Sequence, residues 1–351
     1  MGRLSTVRTE RRPGLRPKRR PGRRTAALVA AGVLVLTASG CVTVHGELAV
    51  VPAATRAEAA RALEDFTAAY NRADKAYDPA LSAQQVTGAL GAINQAGLKA
   101  RSKQSPGGNP RHRELELGDT RFLIPKKAGW PRWFVADADS NRDTDGGRAD
   151  SRWLIVFVRG GAQEHWKASH LLTLAPGEVP RFAQDADGWA KPADGASLAA
   201  SPRELSPAYA SYLQNRGKAG RPAPVNFAPG RDTTLWLASR QRASQRIGRS
   251  MQYLDQQLDT GAFAPVALAT EDGGAFVFFA TRHFEKQTAA RGVPLLDLNE
   301  DVEALLTGTA RSSLTKERVS SQVARVPGKG APGAAVELES RVQGLVAATG
   351  S

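Results

Sequence analysis

The feature that most constrains this chain is its single cysteine, Cys41. One cysteine permits no internal disulfide, so whatever folds must be held by apolar packing and paired polar groups. Cys41 closes the stretch Thr25 to Cys41, TAALVAAGVLVLTASGC. An arginine-rich tail precedes it, an apolar run covers Ala26 to Leu36, and Ala38, Ser39 and Gly40 stand directly before the cysteine. Basic, apolar, small is the order of a secretory signal. A retained span would need about 20 apolar residues, and the apolar run from Ala26 to Leu36 is much shorter. The sequence therefore predicts cleavage between Gly40 and Cys41, with residues 1–40 removed.

A cysteine straight after the small residues resembles the lipobox of bacterial lipoproteins. The resemblance implies a diacylglyceryl (palmitate-type) anchor on Cys41 and residence on the outer face of the cytoplasmic membrane. Two or more acyl chains anchor stably, whereas one binds only marginally. The export route is open: Arg11-Arg12, Arg19-Arg20 and Arg23-Arg24 are arginine pairs without a full twin-arginine motif. The formal charge of +14 is mostly this leader's. Of 48 basic and 34 acidic residues, residues 1–40 hold ten and one, leaving 38 and 33, a net of +5. A modest excess of this kind calls for no nucleic-acid partner.

About 310 residues follow Cys41, enough for two ordinary domains. Residues 41–54 read as a lipidated tether. Thr55 and Glu58 form a capping box, and Leu63, Phe66 and Tyr70 give the helix behind it an apolar face. Ser82 and Gln85 look like a second box, with a stripe of Val86, Leu90 and Ile93 and a stop at Gly97. The period then changes to two. Strands are expected at 113–124, 133–136, 153–159 and 166–174. Residues 176–231 read as a connector, rich in Pro, Gly, Ala and Asp, with a short helix after Ser206 that carries Pro207 in its first turn and ends at Gly217. A long amphipathic helix is expected at 233–258, carrying Leu235, Ile247, Met251, Leu254 and Leu258. Strands at 264–270 and 275–284 are joined by Glu-Asp-Gly-Gly, a hairpin signal. A short helix from Asn299 and strands at 314–326 and 334–347 complete the chain. Helices followed by antiparallel strands, twice over, predict an α+β fold of two domains, 55–175 and 232–351.

This element order resembles the nuclear-transport-factor-2-like and cystatin-like folds. Within the first half AYNRAD, TGALGAI and WPRWFVA resemble uncharacterised actinobacterial lipoproteins. Such folds often enclose a pocket between sheet and helices, and many members bind without chemistry. The resemblance implies a non-enzymatic, lipid-anchored protein that binds a small apolar ligand or an envelope protein. An envelope hydrolase built from scattered residues, or a structural accessory of a membrane complex, are the alternatives.

Few residues advertise chemistry. Asp139, Asn141, Asp143, Asp145 and Gly146 match the first half of an EF-hand loop, but Arg152 stands where the bidentate Glu belongs. A solvated hairpin tip that binds calcium weakly or not at all is the expectation, and no metal or cofactor site is predicted. Ser313 and Lys316 have SxxK spacing without the companion motifs, on a strand where i and i+3 face opposite ways. His165 and His170 lie on or beside one strand, and His283 sits in an aromatic strand as a packed residue. Trp130, Trp133, Phe276, Phe278 and Phe279 are expected in the core. No catalytic residue is identified; Cys41 is the one assigned site.

Overall fold

The computed structural model describes residues 49–147, 149–215, 225–296 and 298–351. The predicted signal, Cys41 and Gly217 lie outside the described residues. The elements run β1 (Val51–Pro52), α1 (Arg56–Ala76), α2 (Gly88–Gln104), β2 (Leu117–Leu123), β3 (Lys126–Lys127), β4 (Arg132–Ser140), β5 (Arg152–Arg159), β6 (Lys167–Leu174), α3 (Pro202–Asn215), α4 (Trp236–Ser244), β7 (Arg249–Leu258), β8 (Val266–Ala269), β9 (Ala275–Ala289), α5 (Glu300–Leu305), β10 (Leu306–Gly308), β11 (Ser313–Val326) and β12 (Glu337–Gly350). The fold is α+β. None of the described helices is long and apolar enough to cross a membrane.

Local chemistry starts the first helix. Thr55 Oγ1 accepts from the Glu58 backbone N–H at 3.1 Å while the Glu58 carboxylate accepts from the Thr55 N–H at 2.7 Å. Two orphan donors are satisfied reciprocally. Ala59, Ala62, Leu63, Phe66, Ala69 and Ala73 then form one buried face. The second helix differs from expectation. The segment before it is used for pairing: Val86 bridges Ala168 of β6, with Thr87 N–H to Ala168 O at 2.9 Å and Ala168 N–H to Gln85 O at 2.8 Å. Helix α2 therefore begins at Gly88. It runs past Gly97 because Leu98 and Ala100, both buried, still have partners to meet.

Two sheets stack face to face. The first is antiparallel, in the order β2-β4-β5-β6. Phe134, Ala136, Ile155 and Phe157 point to α1 from its outer face, and Val135, Leu154, Val156 and Leu172 point the other way. The second sheet has the order β10-β12-β11-β9-β7, with β8 also on β9; it is antiparallel except where β10 runs parallel to β12. Phe276 and Phe278 of β9 and Val323 of β11 meet Val135, Leu154 and Val156 of the first sheet. The alternate residues Ala275, Val277 and Phe279 face Tyr209, Tyr212 and Leu213 of α3. The aromatic residues expected in the core are there, Trp130 excepted, which is half-buried under two arginines.

This packing bears on the expected domains and helices. The division into domains 55–175 and 232–351 is not confirmed, since residues 47–351 cluster as one compact unit with a core drawn from both halves. The connector itself is structured. Ala183 N–H donates to Ala269 O, Ala269 N–H to Lys191 O and Ala193 N–H to Ala267 O, at 2.9 to 3.0 Å. Its helix starts at Pro202 rather than after Ser206, so Pro207 lies inside it. The long helix at 233–258 is a correction. A π-helical turn over Arg231–Leu235 leads into α4, which stops at Ser244; Gly248, at φ +75°, turns the chain into β7. Ile247, counted in the expected apolar stripe, is 96% exposed.

Candidate binding site

The inner half of the second sheet that faces α3 is apolar, but the same face continues as polar residues. Along β9 the run Ala275, Val277, Phe279 becomes Thr281, His283, Glu285, Gln287. On β7, Asp255 stands opposite His283 and Tyr253 opposite Glu285; on β11, Arg318 stands opposite His283 and Lys316 opposite Glu285. Helix α4 lies over this polar half.

The buried part of the site is fully paired. Arg240 on α4 grips Asp255 with two hydrogen bonds, Nη1 to Oδ2 at 2.8 Å and Nη2 to Oδ1 at 2.9 Å. His283 Nδ1 lies 2.7 Å from Asp255 Oδ1, and His283 Nε2 lies 2.9 Å from the Thr281 hydroxyl. Burial alone would raise the Asp255 carboxyl, but hydrogen bonds from His283 and Arg240 outweigh it and hold the group below the usual carboxylate range. Burial lowers His283 despite the neighbouring carboxylate. The consistent state is an ionised Asp255 between the Arg240 guanidinium and a neutral imidazole. Above them Trp236 is sandwiched between Arg240 at 4.0 Å and Arg341 at 3.7 Å from its ring centroid, with the His283 ring edge-on at 4.9 Å. Arg341 is fixed in turn by Asp232, Nε to Oδ1 at 2.7 Å.

Beside this scaffold opens a cavity of about 230 Å³. Its walls carry four arginines, Arg240, Arg246, Arg249 and Arg318, and one carboxylate, Glu285, with Tyr253, Met251, Ala243 and Leu296 as less polar lining. Asp255 neutralises Arg240. Glu285 is shared, with Lys316 Nζ at 2.7 Å and Arg318 Nη1 at 3.4 Å. Arg246 and Arg249 have no carboxylate within ion-pair distance among the described residues; Arg249 Nε donates to Pro294 O at 3.1 Å. Such a cavity offers donors and positive charge to an anion. It offers little for bond breaking, because both ring nitrogens of His283 are occupied and Thr281 is wholly buried.

The residues singled out in the sequence lie elsewhere. The acidic loop brings Asp139 and Asp143 together with Asp150, ligand atoms within 4.8 Å of one another. Asp145 is not in that group. Asn141 is spent on the backbone, accepting from Glu116 N–H at 3.1 Å and donating to Glu114 O at 3.0 Å. Arg152, standing at the closing position of the motif, is buried and bonds Asp137 and Asp119. Ser313 and Lys316 are on β11 as expected, Ser313 bonded to Ser351 and Lys316 to Glu285. His165 is exposed beside β6, whereas His170 is buried within it. Asp232, Trp236, Arg240, Asp255 and Arg341 were not foreseen. The one signal was Asp255 itself, an acid in the middle of a stretch that alternates Met251, Tyr253, Asp255 behind a glycine.

Residues 50–350 match the family described as a domain of unknown function, DUF8094. The chain belongs to this family. Two relatives cover this DUF8094 chain almost fully. An uncharacterised lipoprotein of Streptomyces coelicolor is 53% identical over 328 residues, 92% of this chain and 95% of its own length. An uncharacterised lipoprotein of Streptomyces avermitilis is 48% identical over 339 residues, 96% and 97% of the two chains. A second S. coelicolor lipoprotein is 28% identical over 222 residues, 62% and 60% of the two chains. The sequence resemblance to uncharacterised actinobacterial lipoproteins agrees with these relatives.

Proposed function

We propose that this DUF8094 protein is a lipoprotein, anchored through Cys41 to the outer face of the cytoplasmic membrane, that binds a small anionic molecule without chemistry. The anchor is supported by the signal-like stretch ending at Cys41 and by relatives named as lipoproteins. The observation that carries the binding role is Arg246 and Arg249, which line the cavity beside α4 with no carboxylate to neutralise them among the described residues. The expectation was a small apolar ligand or an envelope protein; four arginines around about 230 Å³ favour a small ligand with a charged end. The likeness to nuclear-transport-factor-2-like and cystatin-like folds is part of the same reading, supported by helices lying on antiparallel sheets. A non-enzymatic role is supported by the fully occupied His283.

The test is a melting experiment on protein purified from membranes, with inorganic phosphate, octanoate and neutral octanol as probes. An anion at a hundred times its dissociation constant raises folded-state stability by about 2.7 kcal/mol. We expect a rise with at least one anion, none with octanol, and loss of the rise in the Arg246→Gln, Arg249→Gln double variant. A rise that persists in the double variant, or no rise with either anion, overturns the binding role.

A further inference from the structure

The described chain begins beside a basic and aromatic surface. Val51 of β1 pairs with Lys127 of β3. Val50, just before it, is 65% exposed. Three residues beyond Lys127 stands Trp130, half-buried, with the Arg132 guanidinium 4.7 Å and the Arg159 guanidinium 5.5 Å from its ring centroid. Arg132 and Arg159 are paired across β4 and β5. Arg159 also lies 5.9 Å from the Trp166 ring. Trp130, Arg132, Arg159 and Trp166 are thus joined by contacts, Trp166 also packing inward on Phe134, and Lys127 stands three residues before Trp130; all five are half-buried.

Two of its cations have no acid partner. Lys127 and Arg132 form no ion pair among the described residues, and Arg159 reaches Glu58 only at 3.8 Å. Glu164, on the loop beside Gly160, is a second acid near Arg159. Lys126, adjacent, is already held by Asp185 at 2.9 Å and by Asp187. Within a protein, an exposed guanidinium over indole is a weak contact, a weak reason to gather unpaired cations here. Tryptophan with Lys and Arg is, however, the composition that sits at a bilayer's headgroup level. Basic groups near an anionic leaflet are drawn to it, and salt weakens the attraction.

The tether decides the occupant. Nine residues lie between Cys41 and Val51, ten steps along the chain, and an extended chain spans at most about 3.6 Å per residue, so Val51, at the edge of this surface, stays within about 36 Å of an anchored Cys41. We infer that the Lys127–Trp130–Arg132–Arg159–Trp166 surface rests on the anionic headgroups of the membrane that holds the lipid, fixing how the protein stands. This rests on the lipid-anchor reading above and is independent of the ligand cavity.

The experiment uses lipidated full-length protein in vesicles of phosphatidylcholine with and without 30% phosphatidylglycerol. Flotation checks the anchor, and brominated phospholipid quenches tryptophans at the bilayer. We expect flotation in both, and quenching that is at least twofold stronger with phosphatidylglycerol and falls as salt is raised from 0.05 to 0.5 M. Trp130→Phe should remove most of it. Lys127→Glu, which breaks no ion pair, should abolish the dependence on phosphatidylglycerol without lowering the melting temperature; Arg132→Glu should act likewise. Flotation without quenching, or quenching unchanged by Trp130→Phe and Lys127→Glu, overturns the surface and leaves the anchor standing. Failure to float overturns the anchor and this inference with it.

Discussion

His170 shows how far a single side chain can set the response of this protein to acid. It is fully buried in β6, its Nδ1 3.0 Å from the Ser169 hydroxyl and its Nε2 without a hydrogen-bond partner. Burial alone lowers it from 6.5 to about 4. The unfolded chain thus takes up a proton between those two values that the folded chain refuses. Stability from this group is complete above pH 6.5, declines as pH falls toward 4 and is constant below. At 1.36 kcal/mol per pH unit the full loss is about 3 kcal/mol. His283 is also held low by burial and adds a loss of the same sign as the pH falls below its unfolded value. Urea titrations from pH 7 to 4 should show the decline, and His170→Leu should flatten most of it. A slope unchanged in that variant would assign the acid response elsewhere. At this scale the sequence was legible where chemistry is local. Thr55 with Glu58, three residues apart, announced its own cap. The pairing of Asp255 with His283 spans 28 residues, and that of Asp232 with Arg341 spans 109; no spacing rule reports such partners.

At the scale of elements, β7 explains why the site escaped notice. A half-buried strand is found by apolar residues on alternate positions. In β7 the position buried most deeply holds Asp255, and Leu254 points outward, 46% exposed. The residues that make the site are the ones that erase the pattern, so a helical stripe through Leu235, Ile247 and Met251 read better than the true strand. Elements with purely structural faces, such as α1, β5 and β9 up to Phe279, were readable for the opposite reason. Helix α2 seats against β12 at Gly344, where an added Cβ would lie 2.5 Å from Ile93 Cγ2. Gly344→Ala should overpack that seat and cost about 1–3 kcal/mol, read as a lowered urea midpoint with an unchanged slope. Pairing it with Ile93→Val, which shortens the opposing side chain, should restore part of the loss. No change in Gly344→Ala would mean that α2 is not held against the sheet there.

For the molecule as a whole, the interior between the sheets matters most. Trp133, Val135, Leu154 and Val156 come from one half of the chain, and Val266, Leu268, Phe276, Phe278 and Val323 from the other. The two-domain expectation followed from a repeat in element order, which shows how many layers a chain can build but not whether two of them close on each other. A shared interior predicts one cooperative unfolding transition. Far-ultraviolet circular dichroism and tryptophan fluorescence should give coincident urea curves. Two separated transitions would restore independent domains. The position of β12 carries a consequence for how the chain reaches this state. Residues 337–350 form an inner strand, bonded to β11 on one side and β10 on the other, and they also bear α2. A ribosome releases them after all these partners. Until they arrive, β11 has an open edge and α2 lacks its seat, so this part of the fold closes only once residues 337–350 have been made. A chain cut before Glu337 would therefore keep both the open edge and the unseated helix.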